Sequence, residues 1–113
     1  MTGISEYLPL HSLEFEILMV LLEGPSHAYA IVQRLERDST LRQRILPANL
    51  YRRVRDLMDR SLIEECPRRE SGLARGRRDF RISALGRRVV RAEAQRLDQL
   101  LTTARRHGLV QGT

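Results

Sequence analysis

Two clusters of side chains in this 113-residue sequence have the types and spacing to act on a polyanion. The first is Ala48, Asn49, Tyr51, Arg52, Arg53 and Arg55, directly behind Pro47. An asparagine amide can pair twice with an adenine edge and an arginine fork with a guanine edge, each worth about 1–3 kcal/mol of discrimination. Ala48 is small enough to let the backbone approach a groove, and the Tyr51 hydroxyl is suited to a phosphate. The second cluster is Arg68, Arg69, Arg75, Arg77 and Arg78 around Gly72 and Gly76, offset locally by Glu70 and Asp79. Cations gathered in this way displace counterions from phosphates, and the resulting binding weakens steeply with salt. Taken singly, each cluster also fits a bland reading: an ordinary solvated helix face, or a loop kept soluble by charge. A reading helix followed at once by an arginine hairpin favours nucleic acid.

The elements that must position these clusters follow from periodicity and punctuation. Pro47 suits the first turn of a helix running to about Ser61. Leu50, Val54, Leu57, Met58 and Ser61 share one face, and Ala48, Asn49, Arg52, Arg55, Asp56 and Asp59 lie opposite. Residues 62–66 form a short strand limited by Pro67, and 79–82 return as the second strand of a hairpin. Upstream, Leu13, Ile17, Val20 and Leu21 recur at three- and four-residue spacing, so about 11–23 is a helix buried on most sides. His11 or Ser12 caps it, Glu14 and Glu16 suit its positive end, and Gly24-Pro25 ends it. Ser26 is placed to cap a second helix over about 27–38, with Tyr29 or Ala30, Ile31 and Leu35 facing the core. A polar linker, 39–44, separates the second and third helices. Residues 1–10 read as an extended arm broken by Gly3 and Pro9.

Ser83 caps a last helix over about 84–106 that ends at Gly108. Along it Val90, Ala94, Leu97, Leu101 and Ala104 alternate four and three residues apart, a heptad seam held for two repeats. Such a helix is roughly 35 Å long, longer than the small head needs. A second copy of the chain is the natural cover for the seam, and for Ile4, Tyr7 and Leu8. The alternative is a seam folded back on the first helix of a monomer. A two-fold dimer would present two reading helices to a near-palindromic duplex site.

Composition narrows the field. The net charge is +6, and it is unevenly placed: residues 42–91 hold 15 arginines against 6 acids, and the remainder is net acidic. All basic residues are arginine; a GC-rich genome gives the same bias, so position carries more weight than residue choice. At 42% hydrophobic residues the chain can build a core of its own, but its length suits one domain. The longest nearly apolar run, Ile17–Leu22, is far too short to span a membrane, and no secretory signal precedes it. The lone Cys66 cannot form an internal disulfide, which fits a reducing cytoplasm; its other reading is a redox sensor beside the arginines. His11, His27 and His107 fall in no metal-ligand or nucleophile spacing, so neither a metal, a cofactor nor catalysis is expected.

These elements sum to a mainly α (α+β) chain: an N-terminal arm over 1–10, a winged helix-turn-helix head with a two-stranded wing over 11–83, and a long C-terminal dimerisation helix with a short tail over 84–113. The residues resemble the PadR family of bacterial transcriptional regulators. The family's G-P-hydrophobic-H-G-Y motif stands as Gly24-Pro25-Ser26-His27-Ala28-Tyr29, and its serine-proline-glycine-threonine-leucine-tyrosine motif as Leu46-Pro47-Ala48-Asn49-Leu50-Tyr51. Leu57 with Leu62-Ile63-Glu64, then Gly76-Arg77-Arg78, Phe80-Arg81 and Gly86-Arg87, continue the match over about residues 12–90. Ser26, Ala28, Leu46, Asn49 and Asp79 depart from the pattern; Leu46 removes a hydroxyl cap and Asn49 replaces a threonine on the reading face. The single C-terminal helix is similar to that of the small-PadR subgroup. The resemblance implies a homodimeric repressor on double-stranded DNA, released by a small-molecule effector. Without tryptophan, a ligand pocket would use aliphatic residues with Phe15 or Tyr7. Two other readings stand beside it: a winged-helix module that binds a protein, and an architectural or replication-associated DNA-binding protein.

Overall fold

The computed structural model describes residues 3–38, 47–66 and 78–111. The first helix, α1 (Ser12–Leu22), starts where His11 and Glu14 cap each other's backbone. The His11 Nδ1 accepts the Leu13 amide at 3.0 Å, and the Glu14 carboxylate accepts the His11 amide at 3.2 Å. Gly24, at a φ of 145°, then turns the chain in a way an L side chain would resist. Two residues follow in strand β1 (Ser26–His27) before α2 (Ala28–Asp38). Ser26 therefore does not cap α2 as its type suggests. His27 does so instead, its Nδ1 accepting the Ala30 amide at 3.1 Å.

Helix α3 (Pro47–Asp59) ends two residues before the expected Ser61. Ser61 adopts a positive φ of 63°, and the Leu62 amide reaches back to the Leu57 carbonyl at 2.9 Å. This left-handed residue closes the helix and turns the chain into strand β2 (Ile63–Cys66). Strand β3 (Asp79–Ile82) pairs antiparallel with β2, with Ile63 opposite Ile82 and Glu65 opposite Phe80. Phe80 and Ile82 are buried while Arg81 is exposed, the alternation of a sheet with one wet face. β1 pairs with the other edge of β3, so the sheet has three strands in the order β1-β3-β2. β2 and β3 form the expected two-stranded wing, and β1 adds a third strand that two residues are too few to announce by periodicity.

The last helix, α4 (Ala84–Arg106), has the predicted bounds. The Ser83 hydroxyl accepts the Gly86 amide at 2.9 Å and donates to the Ser61 carbonyl at 2.7 Å. One side chain thus caps α4 and ties its start to the end of α3. The N-terminal segment is not an extended arm: Ile4–Tyr7 form a 3-10 helix, and Ile4, Tyr7 and Leu8 are half-buried against the core.

One apolar core holds these elements together. Ile17, Leu18 and Leu21 of α1 meet Ile31 of α2, Leu50 and Leu57 of α3, and Val89 of α4, all buried. Burying each such side chain contributes about 1.5–3 kcal/mol before chain entropy is set against it. Among the described residues no helix is long and apolar enough to cross a membrane, and no group of histidine, cysteine and carboxylate side chains stands close enough to hold a metal ion.

Candidate nucleic-acid interface

The core fixes which side of α3 faces out. With Leu50, Val54 and Leu57 turned inward, Ala48, Asn49, Tyr51, Arg52 and Arg55 are exposed. Arg52 and Arg55 have no ion pair among the described residues, so their guanidinium forks are available to a ligand. Arg53 is placed differently. Its Nη1 lies 3.7 Å from the Glu14 carboxylate on α1 and 4.0 Å from Asp56, and its side chain is half-buried. Arg60, a turn and more further along, puts its Nη2 2.8 Å from the same Glu14 oxygen. The sequence groups Arg53 with the outward residues; in the fold it leans back against α1.

Of the five hairpin arginines, Arg78 is described, and Arg68, Arg69, Arg75 and Arg77 lie outside the described residues. Arg78 is exposed at the root of the hairpin and pairs with Glu65 at 3.0 Å, while Arg81 pairs with Glu64 at 3.1 Å. Both pairs are open to water and hold little free energy, so a phosphate can replace the carboxylate at small cost.

Between the start of α2, α3 and the sheet runs a groove of about 630 Å³. Val54, Met58 and Phe80 form its floor, and Tyr29, Tyr51, Arg55 and Arg78 stand around it. Tyr29 is 61% exposed and Tyr51 59%. The Tyr29 ring stacks on His27, with centroids 6.4 Å apart and planes 12° from parallel. Sequence reasoning set Tyr29 or Ala30 on the core side of α2, and so missed that Tyr29 stands out beside Tyr51. The signal that could have found it was its place at the end of the Gly24–Tyr29 motif.

The seam expected along α4 divides in two. Val90 is 5% exposed and belongs to this chain's own core. Ala94, Leu97 and Leu101 are exposed, Ala104 is half-buried, and Leu100 adds a further exposed apolar residue. At the division sits Glu93, 1% exposed, whose Oε2 accepts the Leu10 amide at 2.8 Å and an Arg96 guanidinium N–H at 2.9 Å. The hydrogen bond from Arg96, then that from the Leu10 amide, hold the Glu93 carboxyl below the usual carboxylate range against the opposing effect of burial.

This arrangement of helices, sheet and long final helix occurs in known proteins. A PadR family transcription regulator from Clostridium difficile R20291 superposes with a TM-score of 0.76 at 12% identity, covering 86% of this chain and 98% of the other. A transcriptional regulator from Clostridium thermocellum gives 0.69 at 20% identity, covering 98% and 99%. Bacillus subtilis PadR, in a structure with operator DNA, gives 0.64 at 17% identity over 74% of this chain; the match spans 46% of that longer protein. Comparison of the sequence with curated proteins gives no significant match. The family model described as the transcriptional regulator PadR-like family matches residues 17–92. That match takes in α2, α3, the sheet and the start of α4, and the chain belongs to the PadR-like family of transcriptional regulators.

Proposed function

We propose that this chain is a sequence-specific DNA-binding repressor that acts in the cytoplasm as a homodimer on a near-palindromic operator and is released by a small-molecule effector. The observation that supports this most is the exposed face of α3. Asn49, Arg52 and Arg55 lie on one side of it, uncovered by the rest of the fold, beside a sheet whose hairpin is rich in arginine. In this reading Ala48, Asn49, Arg52 and Arg55 face base edges in the major groove. Tyr51, Tyr29 and Arg78 take phosphates, and Arg68, Arg69, Arg75 and Arg77 extend that contact along the backbone. Ala94, Leu97, Leu101 and Ala104, with Leu100, form the dimer face on α4 and set the spacing of the two half-sites.

Selection from a pool of random duplexes tests this directly. The expected product is one short, roughly two-fold symmetric sequence. Arg52→Ala then relaxes preference at one position in each half-site. Arg77→Ala weakens all duplexes about equally and lowers the slope of log K against log salt by about 1. Selection of no sequence at all would favour an architectural DNA-binding role. Salt-insensitive binding to a protein, with no duplex affinity, would favour an interaction module.

A further inference from the structure

We infer that Glu14 is a positioning residue for the reading helix: from α1 it clamps Arg53 and Arg60, fixing the roll of α3 and keeping Arg53 out of the groove. The inference rests on the DNA-reading role proposed above for α3. Glu14 is 4% exposed, yet no residue of its own helix supplies its counter-charge. One of its oxygens is spent on the His11 amide at 3.2 Å and the other meets Arg60 at 2.8 Å and Arg53 at 3.7 Å. A carboxylate this deeply buried is costly unless paired, so it ties the residues that hold its charge to the capped start of α1. Those residues lie seven apart, Arg53 on α3 and Arg60 just past its last residue, where the Arg60 amide still bonds the Asp56 carbonyl at 3.2 Å, so they stand about two turns apart along one side. Two anchors on one side of a helix resist its rotation; a single anchor would act only as a pivot.

Arg53 is the residue this arrangement reassigns. It borders an open cleft of about 440 Å³ together with His11, Glu14 and Arg60, so its side chain has room to swing outward once the charge on Glu14 is gone. The clamp therefore has two effects on binding. It aligns Asn49 and Arg52 with base edges, and it withholds up to two cations from non-specific contact with the backbone.

A change of charge at Glu14 separates this role from simple support of the fold. Glu14→Gln keeps an oxygen for the His11 amide and removes the charge. Binding of the full chain to the selected duplex and to a scrambled one is measured at several salt concentrations, well below the melting temperature. The ratio of the two affinities should fall roughly tenfold, the scale of one base-edge contact. Affinity for the scrambled duplex should hold or rise, with a salt slope steeper by about 1 to 2 as Arg53 and Arg60 become free. Arg60→Gln, on the more exposed side of the clamp, should lower the ratio in the same way, and the double variant should lose little more than Glu14→Gln alone. Should Glu14→Gln fail to fold, the Arg53→Gln and Arg60→Gln pair carries the same cycle. A lowered melting temperature with an unchanged affinity ratio, or losses that add in the double variant, would overturn the inference. In either case the wild type still selects its duplex. A wild type without duplex preference would overturn the DNA-reading role, and this inference with it.

Discussion

The two halves of α4 have the same periodicity and opposite surroundings. From Gly86 to Glu93 the inward positions are filled by the chain itself: Gly86, Val89, Val90 and Glu93 are all buried. Beyond Glu93 the same stripe continues into Leu97, Leu100 and Leu101, 38%, 54% and 36% exposed. A heptad count treats Val90 and Leu97 as equivalent, because it records spacing and not which chain supplies the cover. The difference separates surfaces that the fold satisfies from surfaces it leaves for something else. The exposed face of α3 and the tyrosine-rimmed groove belong with the second kind. Substitutions in the first kind should change stability and leave association alone, and those in the second should do the reverse.

Gly86→Ala should give the largest effect. A Cβ there would lie 2.1 Å from the Leu62 carbonyl oxygen and 2.8 Å from Ile82, and the backbone of Leu62 cannot move without disturbing the turn that Ser61 closes. The cost should be about 3 kcal/mol or more, a fall of roughly 10–20 °C in melting temperature. Calorimetry showing a change within a few degrees would mean that α4 does not seat on the α3–β2 junction as tightly as this distance requires.

Leu97→Glu with Leu101→Glu addresses the outer half. Under the homodimer reading, analytical ultracentrifugation should show the dimer giving way to monomer. Affinity for a two-half-site duplex should drop about a hundredfold as the second head loses its tether. The melting temperature at low protein concentration should barely change. A wild-type chain that already sediments as a monomer would break the division, because the outer half would then need another occupant.

Glu93 marks the boundary and makes it sensitive to acid. Its carboxyl titrates below the ordinary range in the folded chain, so the unfolded chain takes up the proton first as pH falls. The contribution to stability is therefore complete above the unfolded carboxyl's pKa, about 4.3, and is lost as pH drops through the lower folded value. Glu93→Gln should cost about 2 kcal/mol at neutral pH. The gap between it and the wild type should then narrow steadily below about pH 4.5. Denaturant melts at pH 7, 5 and 3.5 would show this, and a gap independent of pH would place the stabilisation elsewhere.

How much of this was legible in the sequence depends on the range of the interaction responsible. The bounds of α4, its Ser83 cap and the Pro47 start of α3 come from local chemistry, and all three are where the sequence puts them. The long-range features were out of reach. β1 is a strand because Ser26 and His27 meet Phe80 and Asp79 across more than fifty residues. That pairing takes Ser26 from its expected capping role and passes the cap to His27. Glu14 reads as a dipole-compensating residue at a helix start, which it is, but its two arginines stand on α3 and in the turn just after it, and leave no mark in local spacing. Arg53 was grouped with Arg52 for the same reason: adjacent residues on a helix point about 100° apart, and only the packing of α3 on α1 decides which of them faces out.

The smallest change tests the groove. Tyr29→Phe removes one hydroxyl from a ring that is 61% exposed and leaves its stacking on His27 intact, so stability should move by less than about 0.5 kcal/mol. If the hydroxyl donates to a phosphate, duplex affinity should fall about three- to tenfold, the net value of one typical hydrogen bond at a water-exposed site. The specific and scrambled duplexes should lose equally, because a phosphate contact carries no sequence information. Tyr51→Phe should behave alike from the other side of the groove, and the two losses should add if the hydroxyls meet separate phosphates. A loss confined to the selected duplex would instead put Tyr29 against a base edge and move the start of α2 into the reading surface. An unchanged affinity in both variants would leave the groove to a ligand other than DNA, and the boundary between satisfied and waiting surfaces would have to be redrawn along Arg52 and Arg55 alone.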